Sequence, residues 1–474
     1  MMIFFWVALI VLLFVFLRKV IKGRVQIIGE ESVKEKRRIM FAAHLTIGHT
    51  RALSIVAKEL RKMGHEVSFV MMDMEMPFAS LMPEHLRTAM EIPRSFRRDG
   101  FPVFNVSSTL ESMIYGLILP MKTGYKELEC AIKFFTSGID TQAKQISDYA
   151  KKWKADIIVA DYLMLSGYFG SKLAGIPYIS VYHTALPFKV DSAPAFGSGL
   201  HSDARKEDLD YAKSCFSKIN EVFMERTKRA SSKLGIDDQL SFNKPISQDL
   251  NILLSKPFLE PSLSDLSEYN VLFSGPCMPL ESDSNINDPC LSLVKGLKAT
   301  FVYVSLGTVF NNQINVFSTI INGITSLFEK YEDLHIIVSA GATYDNLLSK
   351  SNERIHIYKR VPQAELLKSI HAVVTHGGNN TVQETLSCGI PMIVIPFGSD
   401  QYENAIRVQL LGVGISVRKE ELTSEKIRES TEFLLTNEFQ TKARAIKEKF
   451  ANEKNGTISV VESILGIIEN NKKP

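Results

Sequence analysis

The sequence predicts an α/β protein of two parallel-sheet halves, joined by a linker and preceded by an apolar N-terminal segment. Three observations predict this. Short apolar strands alternate with amphipathic helical runs from Ile39 onward, a stretch rich in Pro, Ser, Asp and Asn from Pro257 to Asn287 splits them into two series, and Met1 to Leu17 carries no charged side chain. Alternating β and α elements argue for parallel sheets covered by helices on both faces. At 474 residues the chain is also too long for one ordinary core.

The N-terminal run is followed by Arg18, Lys19, Lys22 and Arg24, and its one small residue is Ala8. A secretory signal would carry positive charge before the apolar run and a small-residue cleavage site after it, and neither is present. Extended through Val20 and Ile21, the run reaches the ~20 residues that a helix needs to cross a bilayer. The basic cluster on its C-terminal side predicts a cytosolic body. The expectation is a single-pass anchor over 1–24, contacting the membrane through residues 1–21, and a charged tether over 25–37. An interfacial or uncleaved signal-like anchor is the alternative.

After the tether, Ile39–Ala43 reads as a buried strand that runs into a turn at Gly48. A helix through Leu53, Ile55, Val56 and Leu60 follows, then a second strand over Val67–Met72. The rhythm returns at Asp156–Ala160, with a helix to Leu173, a Gly175-Ile176-Pro177 turn and a strand at Tyr178–Val181. In the second series, strands are legible at Phe301–Ser305, His335–Ser339, Ala372–Thr375 and Pro391–Ile395. Two amphipathic stretches, Phe439–Phe450 and Ile458–Ile468, close the chain. The expected domains are 38–256, a linker over 257–298, 299–436, and C-terminal helices over 437–474 that pack back across both.

Composition excludes several classes. A formal charge of +3 with no basic stripe gives no case for nucleic acid. The five cysteines form no CxxC or CxxxC pair, so neither a zinc site nor a disulfide framework is indicated. No Gly-x-Gly-x-x-Gly follows a strand, which sets nicotinamide chemistry aside. No Asp-x-Asp follows a strand either, and no metal or cofactor is expected.

Thr375-His376-Gly377-Gly378-Asn379-Asn380-Thr381 stands between a strand and a helix. A glycine turn opening a helix N-terminus presents free N–H groups and the positive end of the helix dipole, which suits phosphate. The longer run is more specific. Arg360-Val361-Pro362-Gln363, Thr375 to Thr381, Glu384, Gly389-Ile390-Pro391-Met392, Pro396 and Asp400-Gln401-Tyr402-Glu403-Asn404-Ala405 follow in order. This run resembles the nucleotide-sugar signature of the UDP-glycosyltransferases, and the resemblance extends diffusely from about Arg38 to Ile468. It implies the GT-B fold: two facing Rossmann-like domains, with the donor held in the C-terminal one and the acceptor in the N-terminal one.

Carried over by position, the resemblance makes His376, Gly378 and the Asn380-Thr381 pair pyrophosphate contacts, and Glu384 the ribose binder. Asp400 and Gln401 become readers of the sugar hydroxyls. Ser305-Leu306-Gly307-Thr308 resembles the family's second phosphate loop, so Gly307 and Thr308 join the donor set with Gln363. Many members carry Trp where this chain has Arg360, whose guanidinium plane can also stack on a base. Taken alone, Glu384 reads as an acid early in a helix and Asp400 as an N-cap.

Ala43-His44-Leu45-Thr46-Ile47-Gly48-His49-Thr50 follows the first strand, where open α/β sheets bind ligands. The resemblance makes His49, the His after the Gly, the general base, while His44 lines the cleft or packs structurally. Asp161, ending another strand, matches the family's Asp partner for that base, although an Asp there is often a turn or cap residue. The implied reaction is inverting transfer of a hexosyl group from a UDP-sugar, a co-substrate, to an acceptor hydroxyl. Met71, Met72, Met74, Met76, Met82 and Met90, with Phe78, Leu81 and Leu86, suit a pliable apolar acceptor site, and Arg87, Arg94, Arg97 and Arg98 suit anionic headgroups. A core strand with a solvated basic loop is the plainer reading. With the anchor, these residues point to a small lipophilic acceptor such as a sterol or other lipid alcohol. A nucleotide-sugar epimerase and a non-catalytic UDP-sugar-binding partner on the same fold are the alternatives.

Overall fold

A computed structural model describes residues 35–73, 84–188, 194–260, 266, 268–281 and 287–471. The chain separates into two compact units, Met1–Arg37 and Arg38–Pro474. In the first, the described residues 35–37 include an ion pair from Arg37 to Glu35 at 2.6 Å. The expected anchor over 1–24 lies outside the described residues, as does most of the tether. Among the described residues no helix is long and apolar enough to cross a membrane.

The second unit holds two sheets. The first comprises β1 (Arg38–Ala43), β2 (Glu66–Met72), β3 (Val103–Val106), β4 (Ile157–Asp161), β5 (Tyr178–Tyr182), β6 (Leu250–Leu253) and β7 (Val271–Phe273). Its spatial order is β3-β2-β1-β4-β5-β6-β7, and every pairing is parallel. The second comprises β8 (Thr300–Ser305), β9 (Leu334–Ser339), β10 (Ile355–Tyr358), β11 (Ala372–Thr375), β12 (Met392–Val394) and β13 (Gly414–Ser416). Its order, β10-β9-β8-β11-β12-β13, repeats the same winding, again wholly parallel. Each sheet reverses its winding once, between β1 and β4 and between β8 and β11. Such switch points open a crevice beyond the carboxyl ends of the strands.

The central strands are apolar on both faces, as a sheet covered twice by helices requires. Met40 and Ala42 face one core with Ile146 and Phe169. Their neighbours Ile39, Phe41 and Ala43 face the other, with Leu53, Val56 and Leu60 of helix Ile47–Lys62. The second sheet divides in the same way, Val302 and Val304 to one side and Phe301 and Tyr303 to the other.

One expectation needs correction. The stretch 257–298 is not only a linker: it contributes β7, the seventh strand of the first sheet, and helix Pro289–Gly296. A strand of three half-buried residues is too short for apolar alternation to show, and the prolines and serines around it dominate the local signal. At the C-terminus, helix Asn437–Ala451 buries Ala443 and Ile446 in a core of the second half. Helix Gly456–Asn470 then returns to the first half, burying Val460, Val461, Ile464 and Ile468 beside Leu53 and Val56. Replacing a fully buried Ile leaves a cavity, so Ile464→Ala should cost about 2–4 kcal/mol. Calorimetry should show this as a lowered Tm, whereas Ile458→Ala on the exposed side of the same helix should stay within about 0.5 kcal/mol.

Candidate functional site

The loops at the two switch points face each other. After β1 the chain turns at Thr46, whose N–H reaches the His44 carbonyl at 2.9 Å, and enters helix Ile47–Lys62, with His49 in its first turn. Asp161 ends β4, and the register that sets Ala42 beside Ala160 brings the two loops together. Gly167 lets the next helix approach closely: a Cβ there would stand 2.9 Å from that of Ala160 and 3.4 Å from that of Ala42.

His49 Nδ1 hydrogen-bonds Asp161 Oδ2, which leaves Nε2 as the ring's other nitrogen. The imidazole is 24% exposed and the carboxylate is fully buried. Asp161 also acts as the turn residue it resembles, because Oδ1 accepts from the Leu163 N–H at 2.8 Å. Burial works against its charge, yet His49 beside it, with His183 and His44, holds its pKa well below the usual carboxylate range. Burial likewise works to discharge His49, but the Asp161 carboxylate, by charge and hydrogen bond, and Asp400 hold its pKa above the ordinary value.

His183, just beyond β5, was not among the expected site residues. Its Nε2 lies 3.7 Å from Asp161 Oδ2 and its ring centre 5.4 Å from that of His49. Burial drops its pKa to about 4. The signal that singles out Asp161, a polar residue leaving the carboxyl end of a strand, applies equally to His183. His44 is buried against Phe135, with ring centres 4.5 Å apart, and burial lowers its pKa.

On the opposite face, His376 leaves β11 and its ring lies between two glycines. A Cβ on Gly307 would come within 2.6 Å of the ring, as would one on Gly378. Gly307 and Gly377 adopt φ of 70° and 90°, which glycine accommodates without strain. Burial drops the His376 pKa to about 4, so the ring is neutral near pH 7. Gly378 caps helix Asn379–Ser387, which carries Asn380, Thr381 and Glu384.

Several expected donor residues are engaged across the two halves. Glu384 is buried, and Arg51 Nη1 lies 2.8 Å from its Oε1 and 3.0 Å from its Oε2. Gln363 Nε2 adds a third contact to Glu384 at 2.9 Å, while its Oε1 accepts from the Tyr303 hydroxyl at 3.2 Å. Asn380 donates its side-chain amide to the Gly48 carbonyl at 2.6 Å. Arg360 is exposed and donates to Thr88 Oγ1 at 3.2 Å. Burial raises the Asp400 pKa to about 6, opposed by His49 and Arg407, and Asn404 donates to its carboxylate at 3.1 Å. Gln401 spends its amide oxygen on the Phe397 N–H at 2.9 Å, leaving its NH2 group free of that contact. Arg51 and Glu127 were missed from the sequence. Glu127 reaches from the first half to accept from Ser399 Oγ at 2.7 Å, and burial lifts its pKa to about 7.

An apolar cavity opens beside His44 and Thr46. Leu45, Met72, Leu86, Ile92, Phe134 and Phe135 line it from the first half, and Thr308 and Val309 from the second. Of the clustered methionines, Met71 and Met90 belong to the core and Met72 lines this cavity, while Met74, Met76 and Met82 lie outside the described residues.

Residues 329–464 match the family described as Erythromycin biosynthesis protein CIII-like, C-terminal domain. An uncharacterized UDP-glucosyltransferase, YdhE, of Bacillus subtilis is 27% identical over 62% of this chain and 66% of its own length. The 4'-demethylrebeccamycin synthase of Lentzea aerocolonigenes is 22% identical over 91% of this chain and 99% of its own. Among solved structures, the glycotransferase of kitacinnamycin superposes with a TM-score of 0.65 at 18% identity, covering 92% of this chain and all of that one. Two parallel sheets wound alike, a glycine-bounded loop at the second switch point and these relatives agree: the chain has the GT-B fold and is similar over most of its length to glycosyltransferases that use nucleotide sugars.

Proposed function

We propose that this chain moves a hexosyl group from a UDP-sugar to a hydroxyl of a small lipophilic acceptor, with inversion at the anomeric carbon. The observation that carries the reading is the hydrogen-bonded His49–Asp161 pair at one switch point, opposite the His376 loop at the other. In this reading Asp161 fixes the His49 tautomer with the proton on Nδ1 and stabilises the imidazolium. Nε2 takes the proton of the acceptor hydroxyl. The acceptor oxygen then bonds to C1 of the sugar as the bond from C1 to the β-phosphate oxygen breaks, and UDP leaves with that electron pair.

The helix N-terminus after Gly378, with Asn380 and Thr381, would receive the departing charge. Neutral His376 would add a hydrogen bond rather than a full charge. Glu384 would take the ribose hydroxyls once Arg51 gives way, Gln363 would support it, and Asp400 and Gln401 would read the sugar. Gly307 and Thr308 would close over the phosphates, with Arg360 beside the base. In this reading the step uses no metal ion. The apolar cavity next to His44 favours a lipophilic acceptor, and the name of the Bacillus relative makes UDP-glucose the first donor to try.

Three measurements test this reading. With UDP-sugars and a panel of sterol, lipid and phenolic alcohols, acceptor-dependent UDP release should fall about 10²–10⁴-fold in His49→Ala; release unaffected by the change would exclude His49 as the base. The working imidazole is neutral, so kcat/KM should rise with pH through the His49 pKa, which stands above its ordinary 6.5. In Asp161→Asn the carboxylate that raises this pKa is gone, so the acid limb should move to lower pH as the plateau drops. Finally, Gly307→Ala and Gly378→Ala should each displace the His376 ring and weaken UDP binding in calorimetry by about tenfold or more. Gly48→Ala, with open space around its Cβ position, should leave UDP binding unchanged.

A further inference from the structure

Residues 110–121 invert the usual polarity of a surface helix. Helix Leu110–Ile118 and the 3-10 turn Leu119–Met121 expose Leu110, Ile114, Leu117 and Met121, at 74, 50, 40 and 78%. Steps of four, three and four residues line these side chains up on one stripe. Within the helix, every exposed residue is one of these aliphatics. The polar side chains at the start of the helix are engaged in hydrogen bonds. Glu111 accepts from Arg226 Nη2 at 2.7 Å and from Ser137 Oγ at 3.1 Å, and Ser112 is buried in a capping box with Thr109. Gly116 and Leu119, on the same element, line the apolar cavity.

The rim of the stripe is basic. Lys122 and Lys126 follow it and are exposed. Helix Glu84–Arg98 packs alongside, with Leu86 3.9 Å from a Cβ position at Gly116. It exposes Arg87, Arg94, Arg97 and Arg98, against Glu91 as the one exposed acid among its described side chains.

We infer that this face beds into a bilayer containing anionic lipid, with the four aliphatic side chains at the acyl boundary and the lysines and arginines among the headgroups. The charge decides between occupants. A second copy of this chain meeting the same patch would bring basic rims together, whereas an anionic surface complements them. The uncharged run Met1–Leu17 provides a separate route to the same membrane by its sequence. With one helix, about 10 Å across, between the acyl chains and the cavity, an acceptor dissolved in lipid has a short path to the site. The membrane contact itself stands independently of the role given to His49.

The chain has two tryptophans, Trp6 and Trp153. The test uses the full chain carrying Trp6→Phe with Leu117→Trp, and vesicles of brominated phosphatidylcholine with phosphatidylserine. After subtraction of the Trp153 signal, vesicles should shift the new emission to the blue and quench it roughly twofold. Tyr211→Trp, at a position 71% exposed on helix Lys206–Leu234, should be unaffected. Omitting phosphatidylserine, or introducing Lys122→Glu with Lys126→Glu, should raise the lipid concentration at half-quenching by about tenfold. Emission at position 117 that vesicles neither shift nor quench overturns the inference, whether or not the chain sediments with them. Emission already blue-shifted without lipid overturns it too, by showing that the stripe is covered by protein in the absence of a bilayer.

Discussion

A carboxylate without solvent organises the first half of the site. Asp161 lies at the end of a strand buried on both faces, and an isolated charge there would cost far more than the fold could offset. It is tolerated because the loops after β1 and β4 each bring it a hydrogen bond, from His49 and from the Leu163 N–H, while His183 after β5 stands 3.7 Å away. One buried charge therefore ties these two loops together and fixes the orientation of His49. The same low-dielectric surroundings that make the unpaired charge costly also strengthen its hold on the imidazole.

The second half is organised by close packing rather than charge. His376 occupies a slot that exists because Gly307 and Gly378 lack side chains on either side of it. The two phosphate-loop candidates, one after β8 and one after β11, are thus a single structure with the imidazole as its filler. A neutral buried ring is compatible with that packing, whereas an imidazolium would not be.

The halves meet through polar contacts: Arg51 to Glu384, Asn380 to Gly48, Ser399 to Glu127, and a buried pair between Arg407 and Glu260. Polar interfaces within a chain suit parts that move relative to each other. The Arg51–Glu384 contact matters most here, since it occupies the carboxylate expected to hold ribose. On the proposed reading, donor entry would exchange an internal ion pair for hydroxyl contacts. By contrast, helix Gly456–Asn470 fastens the tail of the chain to the first half mainly by apolar burial, with the buried Thr457 hydroxyl donating to the Met278 carbonyl at 2.7 Å.

By itself the sequence determined the alternation of strands and helices, the division into two halves, and the loops that carry His49, Asp161 and His376. These are local properties: apolar runs, helical periodicity and glycine turns act over a few residues, and a residue leaving a strand end is marked by that strand. Only the tertiary structure decided which side chains meet. Arg51 and Glu384 lie 333 positions apart, and Glu127 and Ser399 lie 272 apart, and no local pattern encodes either pair. The short β7 became a strand through the edge of a sheet already built. The stripe Leu110–Ile114–Leu117–Met121 would read as a core face from periodicity, because spacing defines a face but not its direction. Which way that face points depends on contacts remote in sequence, such as the one from Glu111 to Arg226 on a distant helix.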